Sequence, residues 1–434
     1  MVRCAGLGPI FELNVFAQKF VFVAGAQLAA ELCDEARFHK SLSPGIVALR
    51  EFAGDGLFTA YSDEPSWQLA HDLLRPAFTR EAMQRYHPIM LEAAAELFDS
   101  WDGRQGPVDV SADMTKLTLE TISRAAFSRD FGSLTRQDRH PFVPAMVAAL
   151  RAGQRKGVLN AMPGSGLLAR RIDRRNAHHQ QYVDSLIDDL IARRRQEGEL
   201  DDRDLLGIML STAHPETGER LSDRNIRYQI LTFLVAGHET TSGALSFALY
   251  YLSRDPGVLA GAQAETDVIL GADPDAEPTF DQVPKFRHIR RVIDEALRLW
   301  PTAPAFTRSP NADTMIGGRY RMRTQDWATV ILPLIHRDPS VWGEDAGEFR
   351  PDRFLPESSR GRPPHSYKPF GTGERACIGR QFALHEAVLV LARLLHRYDI
   401  SGDPDYELAI TERLTLMPGG FEMTLARRVP AAVP

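Results

Sequence analysis

The stretch FGTGERACIG, Phe370–Gly379, sets one cysteine among three glycines, an arginine and a phenylalanine, directly ahead of the apolar run RQFALHEAVLVLARLLHRY. Glycines at 371, 373 and 379 permit backbone conformations and close approaches that side chains block, so the loop reads as a cradle that carries something against its main chain. Cys377 stands at the expected entrance to the last long helix. Free N–H groups and the positive end of the helix dipole favour an anion there, which is expected to lower the thiol pKa and offer a thiolate ligand. The competing reading, a structural cysteine in a tight turn, is adopted for Cys4 and Cys33.

The chain has 434 residues and a formal charge of -6, which argues against a nucleic-acid binder and for small uncharged or apolar ligands. Three cysteines without paired spacing argue against a disulfide framework or a structural zinc site and make a reducing compartment the default. The apolar run FVFVAGAQLAA from Phe20 is too short to span a membrane and lacks the flanks of a signal peptide. A cytoplasmic protein without membrane insertion is expected.

FELNV and KFVFVAG have the composition of two short strands, and AQLAAELCDEARF then takes up helical spacing. From Pro65 to about Leu270 helical signals run almost unbroken; from Pro301 to Pro369 they give way to prolines, glycines and short apolar pieces that suggest a small sheet and an irregular loop. The segment GVLNAMPGSG, 157–166, reads as a flexible loop, and RRIDRR, 170–175, as a solvated face rather than a patch for an acidic partner. The fold class is mainly α with a smaller β part.

The spacing of Phe370, Gly371, Gly373, Arg375, Cys377 and Gly379 resembles the haem-binding loop of the cytochrome P450 family. The resemblance implies a single haem domain over 1–434, β-rich near 6–25, 301–335 and 401–427 and helical near 26–300 and 377–398, with a long distal helix opposite the cysteine loop. It implies haem b as cofactor, Cys377 as the thiolate ligand to iron, Phe370 packed beside the sulfur, and Arg375 paired with a haem propionate. AGHETT, 236–241, is a polar notch in an apolar helix. Ala236 and Gly237 are expected to leave room for a ligand, and Glu239 with Thr240 to relay protons to bound oxygen. Trp67 and His71 lie at i and i+4 on one helix face. The resemblance places them beside the propionates together with Arg308 and Lys40, and makes Glu295, Arg298 and Arg353 a structural network behind the cysteine loop.

Within the family the chain is similar to self-sufficient bacterial fatty-acid hydroxylases, whose haem domain is fused to a diflavin reductase. It begins about thirty residues later than these and ends in RRVPAAVP without reductase sequence. Electrons from NADPH through FAD and FMN are therefore expected from a partner or further domain. Phe58, Ala53, Ala303 and Leu414 are expected to line an apolar substrate chamber. Gln18 and Phe22 stand where the subgroup has a carboxylate-anchoring arginine and tyrosine, with Lys19 the nearest cation. The expected activity is oxygen insertion into a C–H bond of an apolar, fatty-acid-like substrate; a peroxide-using enzyme and a haem sensor or carrier are the alternatives.

Overall fold

Strands in chain order are β1 (Ile10–Val15), β2 (Gln18–Val23), β3 (Phe38–Ser41), β4 (Val108–Asp109), β5 (Ala305–Pro310), β6 (Thr314–Ile316), β7 (Tyr320–Met322), β8 (Ala328–Ile331), β9 (Tyr398–Gly402), β10 (Ile410–Glu412), β11 (Leu416–Pro418) and β12 (Glu422–Arg427). In the computed structural model, which describes residues 6–15, 18–160, 165–198, 203–412 and 414–429, the apolar residues of the first hairpin pair with Ile10 opposite Val23 and Leu13 opposite Phe20. This hairpin is one side of a five-stranded sheet of order β1-β2-β8-β5-β3, in which Lys40 lies opposite Arg308. β12 joins β4 to β9, and β6 with β7 and β10 with β11 form two small ribbons.

The helices are α1 (Ala26–Leu32), α2 (Pro44–Ala53), α3 (Pro65–Leu74), α4 (Arg80–Asp102), α5 (Val110–Phe127), α6 (Phe142–Asn160), α7 (Gly166–Glu197), α8 (Leu205–Ser211), α9 (Asp223–Leu252), α10 (Pro256–Leu270) and α11 (Arg287–Leu299). The short α12 (Leu332–Ile335), α13 (Pro339–Trp342) and α14 (Pro356–Ser359) precede the long α15 (Arg380–Arg397). Ser222 caps α9 by accepting from the Asn225 N–H, and from there the helix is buried on almost every face, as its nearly continuous apolar sequence requires. It lies in the core among α5, α11 and α15, which positions its central notch deep inside the molecule.

Four features differ from the sequence reading. The helical segment after Ala26 ends at Leu32, and FHKS enters the sheet as β3; four residues without clear alternation carry too little periodicity to be read as a strand. VD at 108–109 likewise joins β12 as β4. Residues 157–160 continue α6 instead of forming a loop, while 161–164 lie outside the described residues. Gly157, the first residue of the stretch read as a loop, serves packing: a Cβ there would lie 3.2 Å from Ala48 Cβ, and one on Gly153, a turn earlier, 3.3 Å from Ala48 O, so both let α6 approach α2. Cys377, finally, precedes α15, whose first residue is Arg380.

Gly157→Leu is expected to cost about 1–3 kcal/mol through overpacking against α2. Gly166→Ala, at a position with open space around it, leaves the midpoint of denaturant unfolding unchanged.

Candidate active site

The cysteine loop turns on left-handed glycines, Gly371 at φ 73° and Gly373 at φ 70°. Gly373 has no space for a side chain, since a Cβ there would fall 1.6 Å from Glu35 Oε1, the oxygen that accepts the Glu374 N–H. The Cys377 N–H donates to Phe370 O at 2.8 Å and closes the bend. Cys377 is exposed by surface area although protein surrounds it on all sides, so its sulfur faces an internal space. Burial pushes its thiol up, against the lowering effect of the Gly379 N–H and the Arg380 guanidinium. The sequence expectation of a lowered thiol pKa is therefore reversed in the protein alone: desolvation outweighs the helix-terminus effect. Phe370 is half-buried, with the Arg380 guanidinium 5.7 Å from its ring centre.

Contacts carry this loop toward α9. A Cβ on Gly379 would touch Phe78 at 3.7 Å, and Phe78 stacks on Phe233 of α9 at 6.0 Å. One turn further along α9, Ala236 is exposed in the middle of a mostly buried helix, Gly237 and Thr240 are half-buried, and Thr240 Oγ1 donates to Ala236 O at 2.8 Å. Gly237 has a different task from the one expected. A Cβ there would come 2.8 Å from Ile122 Cγ1, so its missing side chain admits α5. Glu239 is fully buried and accepts from Thr415 Oγ1 at 3.2 Å, while the Thr240 hydroxyl engages its own helix. The expected Glu239–Thr240 pair is thus split between two faces, because neighbours on a helix point about 100° apart.

Around this flank of α9 stand the other apolar residues of the expected chamber. Ala303 is exposed beside Thr302, whose carbonyl accepts the Leu416 N–H at 2.9 Å. Leu414 is half-buried, one residue before Thr415. Ala53 is half-buried and Phe58 is 40 % exposed. The backbone around Phe58 is fixed mainly through its peptide groups, and Lys40 Nζ also lies 5.2 Å from the ring centre. The Leu57 N–H donates to Gln229 Oε1 of α9 at 3.0 Å. The four carbonyls that follow are all taken by cations: Leu57 O and Ala60 O by Arg375, Phe58 O by Lys40, and Thr59 O by Arg50.

Lys40, Arg308 and Arg375 converge beside the cysteine loop. Arg308 Nη2 donates to Thr372 O at 3.2 Å, and the Arg375 guanidinium lies 4.4 Å over the buried Trp67 ring. Burial, Arg375 and Arg308 pull Lys40 down from 10.5 to about 7; burial and Arg308 pull Arg375 down to about 10. Arg308 is lowered by burial as well, and its Nε, like Arg375 Nη1, is buried without a hydrogen-bond partner. Among the described residues no carboxylate forms an ion pair with any of the three. Desolvated like charges are costly unless an anion joins them, so the cluster fits a group bearing carboxylates. His71 stacks on Trp67 at 5.0 Å, and its Nδ1, 3.6 Å from Asp72 Oδ1 and so beyond hydrogen-bond distance, is likewise buried without a hydrogen-bond partner.

Behind the loop, Arg298 and Glu295 are fully buried and joined by two hydrogen bonds of 2.6 and 2.8 Å. The remaining Arg298 donors reach the carbonyls of His336, Ala346 and Glu348, and Arg353 Nε lies 3.5 Å from Glu295 Oε1. His336, driven down to about 3 by burial and therefore neutral, accepts from the Lys368 N–H at 3.0 Å. The network thus reaches the irregular segment entering the cysteine loop through a histidine that the sequence reading missed. Gln229, Glu35 and Phe78 were missed for the same reason: their partners are distant in sequence, and no spacing rule exposes such contacts.

The family model for cytochrome P450 matches residues 3–425. The chain belongs to the cytochrome P450 family. It is 46% identical over 429 residues to a bifunctional cytochrome P450/NADPH–P450 reductase 1 of Bacillus subtilis, covering 98% of this chain and 40% of that protein. It is 44% identical over 425 residues to the corresponding bifunctional protein of Bacillus cereus, covering 97% of this chain and 39% of the other. A self-sufficient cytochrome P450 monooxygenase of Phanerodontia chrysosporium is 41% identical over 427 residues, covering 95% of this chain and 39% of the relative. The chain thus spans about 40% of the length of these curated relatives. The P450 fold class and haem b as the family cofactor agree with the sequence reading. No helix among the described residues is long and apolar enough to cross a membrane.

Arg298→Ala leaves Glu295 buried and unpaired and is expected to cost about 3–5 kcal/mol, read in unfolding midpoints. For Lys40, whose folded pKa is depressed from 10.5 to about 7, the unfolded chain holds more protons between these values. Stability of the haem-free protein therefore rises with pH across that window. Lys40→Met is expected to flatten the rise in denaturant titrations between pH 7 and 10.

Proposed function

We propose that this P450 is the haem domain of a monooxygenase that hydroxylates C–H bonds of medium- to long-chain alkyl substrates, fatty acids included, with electrons from NADPH through a diflavin reductase. The observation that carries the reading is the placement of the accessible Cys377 beside the buried Arg308 and the half-buried Arg375 and Lys40, none of which has an acidic partner among the described residues. In this reading Cys377 holds the iron, and Arg375, Arg308 and Lys40 hold the propionates. Trp67 is the floor under Arg375, and His71, stacked on it with Nδ1 unpartnered, is a further donor for a propionate. Haem, when bound, supplies the activation of dioxygen.

The chain's own residues then orient the substrate and handle protons. Phe58, Ala53, Ala236, Ala303 and Leu414 offer an alkyl chain apolar surface and exclude water from it. Thr240 Oγ1 donates to the Ala236 carbonyl, which leaves its lone pairs free to accept a hydrogen bond from a water and so to hold and orient that water as a proton source. Glu239, held by Thr415, is a carboxylate store reached through water rather than a direct partner of Thr240. Glu295, Arg298 and Arg353 act through the loop as positioning residues. The reductase assignment is supported by the relatives named above, two of which are called bifunctional with NADPH–P450 reductase.

Recognition of a carboxylate on the first hairpin has little support. Lys19 Nζ is taken by Glu12 at 2.6 Å, and Phe22 stacks on Phe11 at 5.3 Å. The Gln18 side chain lies outside the described residues. A missing charge-assisted partner forgoes about 1.5–3 kcal/mol, so the alkyl chain, not the head, sets affinity in the chamber.

Holoprotein supplied with NADPH and a diflavin reductase is expected to hydroxylate both dodecanoate and dodecanol. Each is expected to shift the Soret band with affinities within about tenfold of the other, because without a cationic partner the acid head gains no charge-assisted bond that the alcohol lacks. Cys377→Ser should abolish the thiolate carbon monoxide spectrum and turnover together. Binding without any product, under coupled electron supply, overturns the monooxygenase reading.

A further inference from the structure

The basic run RRIDRR acquires a shape in the fold. Leu168, Arg171, Ile172 and Arg175 recur at three- and four-residue intervals and so share one face of α7. Together with Arg155 and Leu159 of α6 they line an open groove of ≈ 710 Å³, a volume within the range of small-molecule sites. Leu159 and Ile172 are half-buried, Leu168 is 55 % exposed, and the three arginines are exposed. Among the described residues none of these arginines has a hydrogen-bond or ion-pair partner.

Nearby acids are already engaged. Asp173, in the same run, lies 2.8 Å from Lys156 Nζ, and Glu51 of α2 binds that same ammonium. Lys156 thereby ties α2, α6 and α7 together on the far side of Arg155 and leaves the arginine face without an internal counter-ion. The outcome is an aliphatic strip with cationic forks beside it, in a protein whose formal charge is -6.

We propose that this α6–α7 groove binds a free single-chain amphiphile with an anionic head, of the fatty-acid class, at a site separate from the chamber beside Cys377. The alkyl chain lies along Leu159, Leu168 and Ile172, where it leaves water. The carboxylate meets guanidinium forks, whose paired N–H donors match its two oxygens. An acidic peptide would satisfy the arginines but would not fill the aliphatic strip; a neutral alcohol would fill the strip and leave the arginines without an anion. The groove is lined by residues that take no part in the proposed oxidation, so it does not depend on which substrate is hydroxylated.

The test is equilibrium dialysis of radiolabelled dodecanoate against the holoprotein, below its micelle concentration, with the Soret band followed in parallel. Chamber binding moves the band and groove binding does not, so the two sites are counted separately even if the proposed oxidation fails. The expected result is one equivalent bound without spectral change. Its affinity should fall at least tenfold in Arg171→Glu/Arg175→Glu and in Leu168→Asp, be at least tenfold weaker for dodecanol, and be unaltered in Arg174→Glu. Since all these positions are exposed, circular dichroism is expected to match the parent for each variant, and Arg171→Gln/Arg175→Gln gives a milder check. Three outcomes overturn the proposal: spectrally silent binding that is absent, equal affinity for acid and alcohol, or binding only to anionic phospholipid vesicles and not to free dodecanoate.

Discussion

Mutual repulsion among Lys40, Arg308 and Arg375, gathered where burial weakens their hydration, is the constraint on which the site depends. Lys40 and Arg308 are brought together by strand register, and Arg375 by the bend that also presents Cys377. A fold adopts such an arrangement at a cost to its own stability. The cost is offset when a group with its own carboxylates enters, so the same residues that strain the empty protein favour the loaded one. The thiol obeys a parallel logic: burial holds it protonated until a cation is available to replace the proton.

The opposite wall is organised by smallness rather than charge. Ala236 leaves the surface of α9 exposed at that point, while Gly237 lets Ile122 of α5 close on the other side. Gly243 repeats the device further along, where a Cβ would meet Thr302 at 2.8 Å and Leu416 O at 2.7 Å. One long helix therefore borders the chamber on one face and makes its closest packing on the others, which keeps the polar notch in place without any loop.

What the sequence made legible follows from how local each signal is. The cysteine loop could be read because its glycines, arginine and cysteine fall within ten residues, and the Glu295–Arg298 pair because i, i+3 neighbours share a helix face. The alternating strands of the first hairpin were equally plain. Features built from distant segments were not. Phe38–Ser41 is a strand only because β5 lies beside it, Gly157 is helical because Ala48 needs its surface, and His336 matters through the Lys368 N–H. Composition suggested a loop at Gly157 because glycine permits one; tertiary packing decided otherwise. The separation of Glu239 from Thr240 was foreseeable in principle, since adjacent helical residues diverge, yet a motif read as a string hides that divergence.

The segment carrying Phe58 is held by its peptide groups: one N–H to Gln229 and four carbonyls to three cationic side chains. Only Lys40 also engages the phenyl ring, its Nζ lying 5.2 Å from the ring centre. The other contacts belong to the main chain, so a change of ring size at 58 leaves most of the scaffold in place, and a change that keeps the ring aromatic also keeps the Lys40 contact.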